Sequence, residues 1–250
     1  MGTRDHGAPQ SARGSSGGLG RTAPHGRQTL SEHPRREMTS RDQSTQARIR
    51  TMVELELVDW RRAMSELYAR VRAESSPRAA HAVWRSGRDR LFREHPQSPL
   101  SKRDGLPDTG LPYWPYDESL RFELALTPTG SPKRLPLATG ADGVTTLRSL
   151  GCVQLPSPLN ARIEAWWLEQ YGGGLFLPLR DGTSGETSYG GGRYLLDTAK
   201  GADLGSSGSK LIIDLNFLYH PSCRYSDHWQ CPLAPAENTV TAGIRAGEKL

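Results

Sequence analysis

Cysteine is scarce. Three cysteines in 250 residues are too few for a disulfide framework, and an odd number leaves one unpaired. A reducing compartment suits such a chain. Long apolar runs are missing as well. No stretch approaches the ~20 apolar residues that cross a bilayer. The arginines near the N-terminus precede no apolar segment, so no secretory leader is expected. Neither end carries a lipidation motif. These absences predict a soluble, cytoplasmic protein without a membrane partner.

A charge imbalance is also missing from most of the chain. The formal net charge is +5, but residues 1–50 hold nine arginines and four acidic residues. The remaining 200 residues carry 23 basic and 23 acidic side chains. The folded domain is therefore expected to have no nucleic-acid partner. Residues 1–45 contain almost no large apolar side chain and no aromatic ring to stack on a base. This basic Gly/Ser/Arg tail is expected to be disordered, because it buries too little to offset the entropy of ordering it. Met38 and Met52 are alternative starts to Met1.

Turn formers are plentiful: 27 glycines and 18 prolines, against a hydrophobic share of 35%. That balance predicts short strands rather than a helical bundle. Residues 46–250 read as a single domain, with helices over 47–95, a β core over 119–220 and a C-terminal wrap over 221–250. The fold class is α+β, mainly antiparallel β. Its sheet is expected to be twisted or barrel-like, carrying two N-terminal helices and a wrapped irregular C-terminal segment.

From Ala47 to Arg72, the residues Ile49, Val53, Leu57, Trp60, Met64, Leu67 and Val71 recur every three or four positions, the spacing of one helix face. A second helix is predicted from Ser76 as N-cap and Pro77 at the first position to about Glu94, before Pro96. Its apolar positions are Ala80, Val83, Trp84, Leu91 and Phe92. Residues 96–117 hold five prolines with Tyr113, Trp114 and Tyr116, and predict an extended connector lying across a core or walling a pocket. Alternating segments at 121–126, 145–153, 162–168 and 175–179 are separated by turn signals, including Ala141-Asp142-Gly143, and predict an antiparallel meander. Pro178 should stand at an edge or a strand end.

The densest stretch is Tyr189–Asn238. A strand over 186–197 is broken by Gly190-Gly191-Gly192. A further strand is expected over Leu211–Tyr219. In it, Asp214 and Asn216 would sit ~7 Å apart on one face, with Arg193 as their expected partner.

Three sequence blocks carry a family resemblance: GLPYWPYDESLRF at 110–122, RDGTSGETSYGGGRYLLD at 180–197, and LIIDLNFLYHPSCRYSDHWQCPLAPAENTVTAGIRAGEK at 211–249. Together with WRSGRDRLFREHPQSPL at 84–100, they resemble the bacterial family of domain of unknown function 1684, over about residues 50–249. The resemblance implies a cytosolic, mainly-β protein. Its characteristic positions would be the Gly-Arg pair, Asp214, Asn216, the two C-terminal cysteines and Glu237-Asn238. It implies no reaction.

Two constellations could carry chemistry. Gly191, Gly192, Arg193, Asp197, Asp214, Asn216, Glu237 and Asn238, with Arg245, could grip an anionic small molecule, the glycines allowing close backbone approach. The same groups could instead satisfy one another and the buried backbone. His220, Cys223, His228 and Cys231 have the count and spacing of a zinc site. The alternative is two small buried cysteines close enough to oxidise. The resemblance implies the cysteines but not the histidines. Thr183, Ser184 and Ser188 lie in glycine-rich turns without a nucleophile elbow, and the glycine run precedes no helix, so it is not a dinucleotide fingerprint. The functional expectation is a binding module for an anionic small molecule. The alternatives are an enzyme on the same face, hydrolytic or metal-dependent, or a structural protein without a pocket.

Overall fold

The computed structural model describes residues 39–100, 108–139 and 143–250. The expectations for most of the tail and for the Ala141-Asp142 turn lie outside these residues. The chain divides between Gln43 and Ser44 into two units, and the second, Ser44–Leu250, holds every strand.

Two helices lead. The first, α1, spans Ser40–Ala73, starting earlier than its apolar spacing predicts. Only its C-terminal half is packed: Met64, Leu67, Tyr68 and Val71 are buried, whereas Ile49, Met52, Val53, Leu55 and Val58 are exposed. The second, α2, spans Pro77–Glu94. Ser76 caps it, accepting from the Ala79 amide, and Pro77 fills the first turn, where no intrahelical donor is needed. Trp84, Gly87, Arg88, Leu91 and Phe92 form its buried face. A side chain on Gly87 would collide with Leu67 Cδ1 at 2.3 Å, so this glycine lets the helices approach closely.

Among the described residues eight strands follow: β1 Arg121–Ala125, β2 Arg134–Ala138, β3 Val144–Gln154, β4 Arg162–Leu168, β5 Leu175–Leu179, β6 Arg193–Asp197, β7 Ser206–Ser207 and β8 Lys210–Asp214. Five form an antiparallel meander in the order β2-β3-β4-β5-β6, and three form a second antiparallel sheet in the order β1-β8-β7. The expected meander is present for β3, β4 and β5, joined by β2 and β6, but its expected first strand, β1, pairs with β8 in the second sheet instead. Of the twisted or barrel-like alternatives, the closed barrel is not found: among the described residues the strands divide between two sheets and do not close. Trp84, Trp166, Leu67, Tyr68, Phe176 and Leu177 are among the most buried side chains of the core.

Two local expectations are corrected. The strand expected over 211–219 ends at Asp214. Asp214 accepts a hydrogen bond from the Asn216 amide (3.1 Å) and turns the chain into a 3-10 turn over Leu215–Phe217. Tyr219 then pairs with Tyr194 through two backbone bonds, of 2.8 and 3.0 Å, extending the edge beside β6. The strand expected over 186–197 begins only at Arg193. Before it, Gly192 has φ +89° and donates to the Tyr189 carbonyl at 2.9 Å, so the glycine run makes a turn.

Pro178 is the last residue but one of β5, near a strand end as one alternative had it, in a strand between β4 and β6 rather than at an edge. The β5–β6 register shifts between Leu177 and Pro178, and the β4–β5 ladder covers only Leu175 and Phe176. A bulge thus accommodates the missing donor.

The last residues are irregular and thread between other segments. The Val240 amide donates to the Arg180 carbonyl (2.8 Å), Glu248 to Leu218 (2.8 Å) and Lys249 to Pro112 (3.0 Å), while Trp114 donates to Gly247 (3.0 Å). The connector crosses the core as expected: Tyr113 is buried, with its ring 5.6 Å from that of Trp84.

Candidate functional site

The guanidinium of Arg193 is fully buried and already engaged. Its Nη2 donates to Asp181 Oδ2 (2.8 Å) and to the Ile244 carbonyl (2.9 Å). Its Nη1 donates to the carbonyls of Ala246 and of Glu248, the latter at 3.0 Å. The Trp114 ring centroid lies 5.1 Å away. Burial lowers the pKa of Arg193, and Asp181 opposes that shift. The partner of Arg193 is therefore Asp181 and the C-terminal backbone, not Asp214. Thr183 and Ser188 belong to the same loop: Thr183 Oγ1 lies 2.7 Å from Asp181 Oδ1 and 2.8 Å from Ser188 Oγ. Ser184 Oγ accepts from the Asp181 amide. These hydroxyls organise a turn.

Asp214 and Asn216 are neighbours, as expected, but through a turn rather than a strand face. Asn216 Nδ2 donates to Asp214 Oδ1 and to the Asp117 carbonyl, both at 2.8 Å, and its Oδ1 accepts from the Asp117 amide (2.8 Å). Tyr116 donates to Asp214 Oδ2 at 3.2 Å. The pair fastens the connector. Burial raises the pKa of Asp214, and the bonds from Asn216 and Tyr116 oppose the rise. Asp214 also lines a cavity of about 120 Å³ with Arg72, Glu74 and Arg121, and Arg193 is not in its lining.

Asn238 is buried and structural. Its Nδ2 donates to the carbonyls of Glu164 (2.8 Å) and Pro178 (2.7 Å), and its Oδ1 accepts from Trp166 Nε1 (3.0 Å). Glu237 and Arg245 are exposed. Gly191 and Gly192 shape the turn before β6. A side chain on Gly192 would meet the Leu179 carbonyl at 2.7 Å.

The four metal-ligand candidates separate. His220 Nε2 accepts from the Tyr189 amide (3.2 Å), and His228 is exposed against the Trp229 ring. Cys223 and Cys231 remain near one another, each thiol perturbing the other's pKa. Among the described residues, no group of three or more His, Cys, Asp or Glu side chains is arranged to hold a metal ion.

The structure instead gathers members of both constellations around one cavity of about 60 Å³. Asp197, His220 and Cys231 line it, together with Arg88, Lys200 and Tyr219. Arg88 and Asp197 are each 3% exposed. Arg88 Nη2 and Asp197 Oδ1 are buried without a hydrogen-bond partner. Native proteins leave few buried polar atoms in that condition. Burial raises the pKa of Asp197, opposed by Lys200 and Arg61.

Arg88 Nε is held by Glu248 Oε1 at 2.6 Å. Glu248 Oε2 accepts from the His220 amide (2.6 Å) and the Tyr225 hydroxyl (3.2 Å). His220 Nδ1 is 3.7 Å from the same oxygen. That contact is not an ion pair. Burial first, then Arg193, Arg224 and Arg88, hold the pKa of His220 down to about 3, so the ring is neutral at neutral pH.

Sequence reading missed Arg88. Its signal was a cation four residues after Trp84 and four before Phe92, on the apolar face of α2. Two larger depressions, about 410 and 490 Å³, lie along the helices and are lined by Arg70, Gly87 and Arg90 among others. None of the unpartnered buried atoms belongs to their linings.

A helical pair, two antiparallel sheets and a C-terminal segment tied down by buried arginines define an α+β protein whose best-formed polar cavity is small. The family model described as protein of unknown function DUF1684 matches residues 109–249, and the chain belongs to that family. The match begins after α2, so Arg88 lies outside it. The chain is similar to an uncharacterized protein of Haloarcula marismortui whose solution NMR structure is known, with 31% identity over 66% of this chain and 90% of that one and a TM-score of 0.47. No curated protein matches.

Proposed function

We propose that the protein binds a small polar ligand between Arg88 and Asp197. One observation carries this reading: a buried donor, Arg88 Nη2, and a buried acceptor, Asp197 Oδ1, line a single cavity and lack partners. A ligand that accepts at one end and donates at the other would satisfy both, and leaving them unsatisfied costs roughly 1–3 kcal/mol each. The volume of about 60 Å³ limits the ligand to a few non-hydrogen atoms. It is well short of the ~300 Å³ at which sites that enclose drug-sized molecules begin. Arg88 and Lys200 favour a negative end group, so the class is a short hydroxy- or amino-carboxylate. The anionic ligand expected from sequence is kept, and its grip moves from Arg193 to Arg88.

A structural role without a ligand is the second reading. It is favoured by the engagement of Asp214, Asn216, Asn238 and both terminal nitrogens of Arg193 within the fold, although Arg193 Nε lacks a partner. Thermal-shift titration with glycolate, lactate, glycine and oxalate separates the two. Ligand binding predicts a saturable rise in melting temperature that Asp197→Ala abolishes. No rise with any of these compounds, or one that Asp197→Ala leaves intact, would remove the cavity as the site.

A further inference from the structure

The cavity has a reactive-looking edge that the ligand reading does not use. Cys231 lines it beside Lys200 and Arg88. Cys223 lies in the 3-10 turn Ser222–Arg224, and Cys231 shares the cavity wall with Pro221 and Ser222 at the start of that turn. The backbone amides of Cys223 and Ser222 also face the Cys231 sulfur. The Tyr189 hydroxyl stands 3.9 Å from the sulfur of Cys223. Both cysteines are partly exposed, whereas Cys152 is buried. Residues 225–231 form neither helix nor strand, so the two cysteines can approach without breaking a ladder.

We propose that Cys223 and Cys231 are a thiol pair that hydrogen peroxide oxidises to a disulfide, with Cys231 as the attacking sulfur and Cys223 as the resolving one. The assignment of roles follows from placement. Cys231 faces the cavity near Lys200, a cation that favours the thiolate, and backbone amides of the turn do the same.

The steps balance. The Cys231 thiolate attacks one peroxide oxygen, the O–O bond breaks, and the departing hydroxide takes a proton and leaves as water. Cys231 is now a sulfenic acid. Cys223 loses its proton and attacks the Cys231 sulfur, the S–S bond forms, the S–O bond breaks, and a second water leaves. Two thiols lose two electrons in all, and the peroxide gains them. The inference is independent of the carboxylate reading, because it is read on the sulfurs.

The test uses the full chain, freed of reductant and treated with a stoichiometric amount of hydrogen peroxide. Free thiols should fall from three per chain to one, and peptide mapping should find Cys223 joined to Cys231 with Cys152 still free. Cys223→Ser should stop at a sulfenic acid on Cys231 that a cyclic 1,3-diketone traps. Cys231→Ser should leave Cys223 and Cys152 equally slow to react. Three thiols surviving in wild type, a first oxidation at Cys152, or undiminished oxidation of Cys223 in Cys231→Ser would each overturn the proposal. Serine is nearly isosteric with cysteine, and circular dichroism of both variants checks that they fold.

Discussion

Arg88 and Glu248 are 160 residues apart in sequence and 2.6 Å apart in space. Both are almost wholly buried. The pair joins α2 to the C-terminal segment, and the rings of Phe92 and Tyr219 lie 4.7 and 4.8 Å from the guanidinium. Burial of the ions is unfavourable, and the pairing, the ring faces and the extra donors to Glu248 offset it.

Breaking the pair from one side should therefore cost more than removing it. Glu248→Gln leaves a buried cation, and Arg88→Met leaves a buried anion. Each is expected to lower unfolding stability by about 3–5 kcal/mol. The double variant Arg88→Met/Glu248→Gln should be less destabilised than the sum of the two. Urea denaturation of all four proteins measures this coupling. Strict additivity would show that the two groups do not act as a pair.

Arg193 should control the C-terminal segment separately. One guanidinium holds Asp181 and the carbonyls of Ile244, Ala246 and Glu248. A lysine has a single point of donation and cannot reproduce this fork. Arg193→Lys is expected to free residues 244–250 before the rest unfolds. Hydrogen exchange should show early loss of protection at Ile244, Glu248 and Lys249. Global loss of protection at a single rate would mean that the segment is not a separate unit.

Stability should fall on mild acidification. His81 and His220 are neutral in the folded chain, with pKa values lowered to about 4 and about 3, mainly by burial. In the unfolded chain each takes a proton near pH 6.5. Between about pH 6.5 and pH 4 the unfolded state binds more protons, so stability decreases as pH falls. Asp197 and Asp214 act in the opposite sense, because their raised pKa values favour the folded state at lower pH. Melting temperatures from pH 7.5 to pH 4.5 should decline, and His220→Asn should flatten the decline. An unchanged slope in that variant would assign the effect elsewhere.

Legibility in the sequence followed the range of the interaction. The Ser76-Pro77 start and Pro96 stop of α2 are local chemistry, and they mark the helix closely. Alternation located β1, β4 and β5, because the side-chain period is a property of a few adjacent residues. Asp214 misled because its carboxylate caps the turn three residues into an otherwise strand-like pattern. Residues 213–220 are buried throughout, so alternation there marks no solvent face. The choice of Asp181 over Asp214 for Arg193, and of Glu248 for Arg88, depends on how the last ten residues thread the fold. No local pattern encodes that path. The cavity drew Asp197, His220 and Cys231 from two separate sequence groups for the same reason.

Asn238 offers the sharpest single-atom test of that threading. Pro178 supplies no amide to a ladder, and β5 loses its pairing to β4 beyond Phe176. Asn238 bridges the gap by donating to the carbonyls of Pro178 and Glu164 while accepting from Trp166. Asn238→Asp keeps the shape but turns the donor that faces two carbonyl oxygens into an acceptor. The cost should be roughly 2–4 kcal/mol at neutral pH, since two buried acceptors are left unsatisfied against a charge. Asn238→Ala should cost less, because it adds no charge. Protonation of the new carboxyl restores one donor, so the gap between the two variants should narrow as pH falls. Chemical denaturation at pH 7 and pH 5 makes the comparison. If Asn238→Asp matches wild type at pH 7, the amide is not the bridge between β4 and β5.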